Sequence, residues 1–172
     1  LALQRTFGLP QRKRAPVFGL TGRLVTQKGL DLILRCRSFA EGEAQFVILG
    51  HGEPRIEDAL MWAARRRPEH VAVDFVWTER LEHRLMAGSD LFLMPSQYEP
   101  CGLTQMRAQR YGTPVVGRRV GGIADTVSDG ETGFLFDAYE PAALDAAIAR
   151  ALAAYRDRER WRIMQQRAMG RD

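Results

Sequence analysis

Short runs of Val, Ile, Phe and Leu recur at residues 17–20, 46–49, 71–77, 90–94 and 114–117, each bounded by glycine, proline or a charged turn. Runs of this length that are apolar on both sides read as strands buried on both faces. Between them, residues 29–39, 55–66, 79–87 and 103–111 carry apolar positions at three- and four-residue spacing, the mark of amphipathic helices. Strand and helix alternate throughout. That order predicts an α/β protein, an open parallel sheet with helices on both faces, whose ligands sit at the carboxyl ends of the strands.

The pattern changes towards the end of the chain. Residues 131–136 read as a short extended segment, residues 141–155 as an Ala-rich helix with Pro141 in its first turn, and residues 158–169 as a charged helix. Trp161 and Met164 on that last helix have the spacing of a packing stripe. Residues 1–15 read as a linker or N-terminal extension, in which Leu3, Phe7 and Leu9 pack locally and residues 11–14 are polar and basic. The domain proper is expected over residues 16–172.

A chain of 172 residues, 45% hydrophobic and 27% charged, is long enough to bury a core without staples. Its apolar runs are far short of the ~20 residues that span a bilayer, so no membrane partner and a cytoplasmic location are expected. Cys36 and Cys101 lack the close spacing of a zinc or redox pair, and His51, His70 and His83 share no metal-ligand spacing. No metal is therefore expected. The net charge of +4 comes from scattered arginines, which favours an anionic small molecule over nucleic acid.

Three stretches at strand ends carry candidate chemistry. Residues 22–29 place Arg23 and Lys28 between the first strand and first helix, where a helix N-terminus and two cations suit a diphosphate. Residues 96–105 place Glu99 just ahead of Gly102, Leu103 and Thr104, whose N–H groups would open a helix towards a phosphate while Glu99 bonds sugar hydroxyls. Gly121 and Gly122 allow a close backbone approach after the last strand, and Gly50 belongs to a Gly-His-Gly turn lining the same cleft. Each feature also has an ordinary explanation: solvated surface charges for Arg23 and Lys28, a dipole-stabilising carboxylate for Glu99, and tight turns for the glycines. Together they imply a phosphorylated, nucleotide-linked ligand.

Taken in order, GRLVTQKGLDL, LGHGEP, HRLMAGSDLFLMPSQYEPCGLTQM, RYGTPVV and GGIADTVSDGETGFLF resemble the C-terminal domain of bacterial glycogen synthases and plant starch synthases, over about residues 16–172. The resemblance implies a retaining, ADP-glucose-dependent glucosyltransferase and a Rossmann-like fold that forms one half of a two-Rossmann-domain enzyme. In a plant, the location it implies is the plastid. By similarity, Arg23 and Lys28 would bind the distal phosphate of ADP, Glu99 the glucose hydroxyls, and the backbone of Gly102, Leu103 and Thr104 would complete the pocket. Trp77 falls where the family has a tyrosine against the adenine, although a core aromatic at a strand end is an equal reading.

The resemblance also implies no cofactor beyond the donor sugar nucleotide, an α-glucan acceptor, and an N-terminal acceptor-side domain that the chain is expected to lack. Many relatives in the wider superfamily carry a second glutamate eight residues after the first; here that position is Arg107, as expected for glycogen and starch synthases. Val76, Trp77 and Thr78, with Glu53 and Val120, depart from the family pattern around the adenine pocket. Two other readings stay open: a non-catalytic nucleotide- or glucan-binding module, and a glycosyltransferase using another nucleotide-sugar.

Overall fold

The computed structural model describes residues 1–42 and 44–170. Its elements run α1 (Ala2–Thr6), β1 (Val17–Thr21), α2 (Leu30–Arg35), α3 (Arg37–Glu41), β2 (Gln45–Leu49), α4 (Pro54–Arg66), β3 (Val71–Asp74), α5 (Glu79–Gly88), β4 (Leu91–Met94), α6 (Leu103–Arg110), β5 (Val115–Arg118), α7 (Gly121–Thr126), β6 (Gly133–Phe136), α8 (Pro141–Arg156) and α9 (Arg158–Met169). The six strands form one sheet in the order β3-β2-β1-β4-β5-β6, with every pair parallel. The order reverses between β1 and β4, which opens a crevice at their carboxyl ends.

Alternate strand residues feed two separate cores, as a sheet buried on both faces requires. Phe18, Phe46, Ile48, Leu93 and Phe134 join the core under α2, α3, α4, α8 and α9, where Trp161 and Met164 are also buried. Val47, Leu49, Phe92, Met94 and Leu135 join the other, with Leu85, Met86, Ala108 and Ile123 from α5, α6 and α7. The short segment expected at residues 131–136 supplies the sixth strand, β6, beside β5.

In residues 1–15, Ala2–Thr6 is helical, and Leu3 and Leu9 are buried in the second core with Phe7 packed against it. Two expectations are corrected. The run at 71–77 pairs only as far as Asp74, whose Oδ1 accepts a hydrogen bond from Val76 N at 2.9 Å and turns the chain out of the sheet. Val76 and Trp77 are exposed, so Trp77 is not a core aromatic. The single helix expected over 29–39 is broken at Cys36, which has extended geometry between α2 and α3.

That break is set by a residue more than a hundred positions away. Asp145 on α8 accepts hydrogen bonds from Arg37 N (2.9 Å), Ser38 N (2.8 Å), Ser38 Oγ (2.6 Å) and Cys36 Sγ (2.8 Å), capping α3 from outside its own sequence. Burial alone would raise the Asp145 carboxyl, but the bonds from Cys36, Ser38 and Arg37 hold it below its ordinary value. Burial, and then the bond to Asp145, push the Cys36 thiol up to about 12. Asp145→Ala is expected to cost about 2 kcal/mol of folding stability in urea denaturation at neutral pH. Because the folded-state value of Asp145 is depressed, its contribution is fully present above the unfolded value, about pH 4, and the difference between variant and parent should shrink as pH falls below that, through the lower folded-state value.

Candidate functional site

The crevice between β1 and β4 holds a cavity of about 220 Å³ lined by Thr21, Arg23, Lys28, Met94, Ser96 and Thr104 among others. This is below the ~300–1,000 Å³ of a typical small-molecule site. Lys28 ends a single 3₁₀ turn over Thr26–Lys28, and Gly29 follows in the left-handed conformation at φ 79°. A Cβ on Gly29 would lie 2.1 Å from the carbonyl oxygen of Pro95, so only glycine lets this turn pass so close to the loop after β4.

Glu99, on that loop, is buried. Its Oε2 accepts from Lys28 Nζ and, at 3.4 Å, from Ser96 Oγ. Arg23 is exposed at the cavity and has no ion-pair partner among the described residues. Gly102 is the N-cap of α6 at φ 66° and offers no side-chain cap, so the first N–H groups of α6 remain available beside Thr104. Thr21 Oγ1, at the end of β1, is buried without a hydrogen-bond partner. The crevice thus brings one free cation, one paired cation, a buried carboxylate and an uncapped helix start together.

Neighbouring segments hold both loops in place. Gln97 N donates to Gln27 O at 2.9 Å, Arg118 Nη1 donates to Gln97 O at 2.9 Å, and Gly122 N donates to Glu99 O at 3.1 Å. Tyr139 OH donates to Asp31 Oδ1 and, at 3.4 Å, to Thr26 O, and the Arg118 guanidinium lies 5.4 Å from the Tyr139 ring centre. Burial, and then Asp31, raise the Tyr139 hydroxyl well above its ordinary value, keeping it a donor. Glu53 accepts from Thr26 N at 3.0 Å and from Arg55 Nε at 2.9 Å, tying the 3₁₀ turn to α4.

The family model for glycosyl transferases group 1 matches residues 5–167. The chain belongs to this family. It is 49% identical over 177 residues to the glycogen synthase of Anaeromyxobacter sp., covering 99% of this chain and 37% of that protein. It is also 49% identical to glycogen synthase 2 of Nitrosococcus oceani, covering 94% and 35%. The chain therefore spans little more than a third of the length of these relatives. Among solved structures, the catalytic domain of starch synthase IV from Arabidopsis thaliana, bound to ADP and acarbose, superposes with a TM-score of 0.91 at 35% identity over 99% of this chain and 38% of that one. Sucrose-phosphate synthase from Thermosynechococcus elongatus gives 0.76 at 25% identity, over 98% and 43%. The resemblance read from the sequence motifs and the Rossmann-like half-domain fold are both met.

Within this glycosyltransferase fold, Arg23, Lys28 and Thr104 line the crevice, and Glu99 reaches it through its contact with Lys28. Leu103 is exposed and Gly102 is buried at the start of α6. The remaining glycines are explained by backbone packing. A Cβ on Gly50 would lie 1.9 Å from Gly22 O, one on Gly121 2.0 Å from Glu99 O, and one on Gly122 1.8 Å from Cys101 O. They shape the loops of the site from behind and do not line the cavity. Trp77 follows the carboxyl end of β3, a strand that lies two places from β1, about 10 Å away by strand spacing. Arg107 turns away from the cavity to Glu82 on α5, at 3.2 Å.

Sequence reading missed the supports, Asp31, Arg118 and Tyr139, and the cavity residue Thr21, and it gave no role to Ser96 within the stretch 96–105. The first three carry no local signal, because each acts on a segment distant in sequence. Thr21 had one: a lone hydroxyl at the end of an otherwise apolar strand. Among the described residues no group of three His, Cys, Asp or Glu is placed to hold a metal, and no helix is long and apolar enough to cross a membrane.

Proposed function

We propose that this chain binds ADP-glucose as the nucleotide-sugar half of a retaining glucosyltransferase that adds α-1,4-glucosyl units to a glucan. The observation that carries this reading is the convergence of Arg23, Lys28, Glu99 and the open start of α6 on one crevice at the strand-order reversal. Likeness to the glycogen synthases, and to a starch synthase bound to ADP and acarbose, supports the choice of donor and acceptor.

In this reading, Arg23 and Lys28 hold the distal phosphate, the N–H groups at Gly102 to Thr104 face the diphosphate, and Glu99 accepts hydrogen bonds from glucose hydroxyls. Trp77, exposed after the carboxyl end of β3, stacks on the base. The sugar leaves the diphosphate as an oxocarbenium-like species and is taken up on the same face by the acceptor. Rate enhancement is then electrostatic: the two cations interact more strongly with the departing diphosphate than with the intact donor. The acceptor-side domain and the glucan close the other wall of the cleft. No cofactor beyond the donor is needed, and a cytoplasmic location belongs to the same reading.

Calorimetric titration separates donor classes. ADP is expected to bind this chain at least tenfold more tightly than UDP; equal or tighter binding of UDP, or no binding of ADP, overturns the assignment.

A further inference from the structure

We infer that the Lys28–Glu99 ion pair is a partner exchange that makes the site favour the intact sugar nucleotide over the nucleoside diphosphate product. This rests on the donor-site reading above. The two groups assigned to opposite ends of the donor are bound to each other in the structure, with Lys28 Nζ donating to Glu99 Oε2. Arg23, by contrast, has no ion-pair partner among the described residues and meets an incoming phosphate at no such cost.

The consequence follows from which partner each ligand can replace. ADP brings a phosphate for Lys28 but nothing for Glu99. Binding it strands a buried carboxylate beside an anion, with only Ser96 Oγ, at 3.4 Å, left to solvate it. The intact donor replaces both partners, phosphate for Glu99 on Lys28 and sugar hydroxyls for Lys28 on Glu99. No covalent bond is made or broken in the exchange. After glucosyl transfer the hydroxyls depart with the acceptor, Glu99 recaptures Lys28, and ADP is released. Discrimination against product is thus built from a repulsive element that the donor neutralises.

The test is titration of the parent chain, Glu99→Gln and Glu99→Asp with ADP and with ADP-glucose, alongside urea unfolding of each. Gln keeps the shape and removes the charge; Asp draws the carboxylate back by one methylene. Both variants are expected to bind ADP about three- to tenfold more tightly than the parent, with no such gain for ADP-glucose. If the parent binds ADP but neither folded variant gains affinity for it, or if both ligands gain equally, the exchange is overturned while the donor-site reading stands. If the parent binds no ADP, the donor-site reading fails and takes the exchange with it.

Discussion

Lys28→Ala is expected to weaken ADP binding by about a hundredfold, on the order of 3 kcal/mol. Two effects act in the same direction. The substitution deletes a cation from the crevice, and it leaves Glu99, buried and without its Lys28 partner, to repel the phosphate that the crevice otherwise attracts. A charge pair ~4 Å apart is worth about 4 kcal/mol at an effective dielectric near 20, so a loss of this size is reasonable for a half-open site. Folding stability should fall as well, but by less than the ~3–5 kcal/mol of a fully buried broken pair, because the Lys28 side chain is 26% exposed. Adding Glu99→Gln to Lys28→Ala should restore part of both losses, since the stranded charge is then gone. Calorimetry of the two single variants and the double measures this directly, and an ADP affinity for Lys28→Ala within threefold of the parent removes Lys28 from the diphosphate site.

The second large effect is expected at Gly122, which has no chemistry of its own. Its Cβ would lie 1.8 Å from the carbonyl oxygen of Cys101, closer than any real contact, and the obstacle is backbone that cannot rotate aside. The chain at Gly122 already has helical geometry at the start of α7, so alanine brings no dihedral strain. The whole penalty is steric. Either α7 moves back, losing the 3.1 Å bond from Gly122 N to Glu99 O, or the loop bearing Glu99 shifts. Gly122→Ala should therefore cost about 3 kcal/mol, the upper end for overpacking, and should also weaken ADP binding through the displaced loop. Gly170→Ala, where an added Cβ meets nothing closer than 3.5 Å, is the control and should stay within ~0.5 kcal/mol of the parent. Urea denaturation of the two variants tests the contrast, and equal stabilities would show that the Glu99 loop and α7 can separate freely.

The Gly122 case shows how much of the site could be read in the sequence. Gly121 and Gly122 stood out because two glycines before a helix mark a close approach, and a close approach is what the structure contains. The approaching group that the structure shows is the backbone of Glu99 to Cys101. Composition marks where a side chain is not tolerated but does not name the neighbour. The same holds for the adenine-side expectation at Trp77: the apolar run through 77 reads as one strand, and only the Asp74 carboxylate, turning back on Val76 N, shows where pairing stops.

By itself, the sequence determined the alternation of strands and helices, the parallel sheet buried on both faces, the family, and the residue types at the strand ends. These depend on local periodicity, turn residues and short motifs, all of which act over a few positions. Tertiary structure alone decided the strand order that opens the crevice between β1 and β4, the break in the first long helix under Asp145, and the packing of residues 2–9 into the second core. It also decided that Lys28 and Glu99, 71 positions apart, hold each other. Those outcomes depend on which distant groups fold into hydrogen-bonding range, and burial then favours each such pairing, because a polar group hidden from water costs free energy when it is left without a partner.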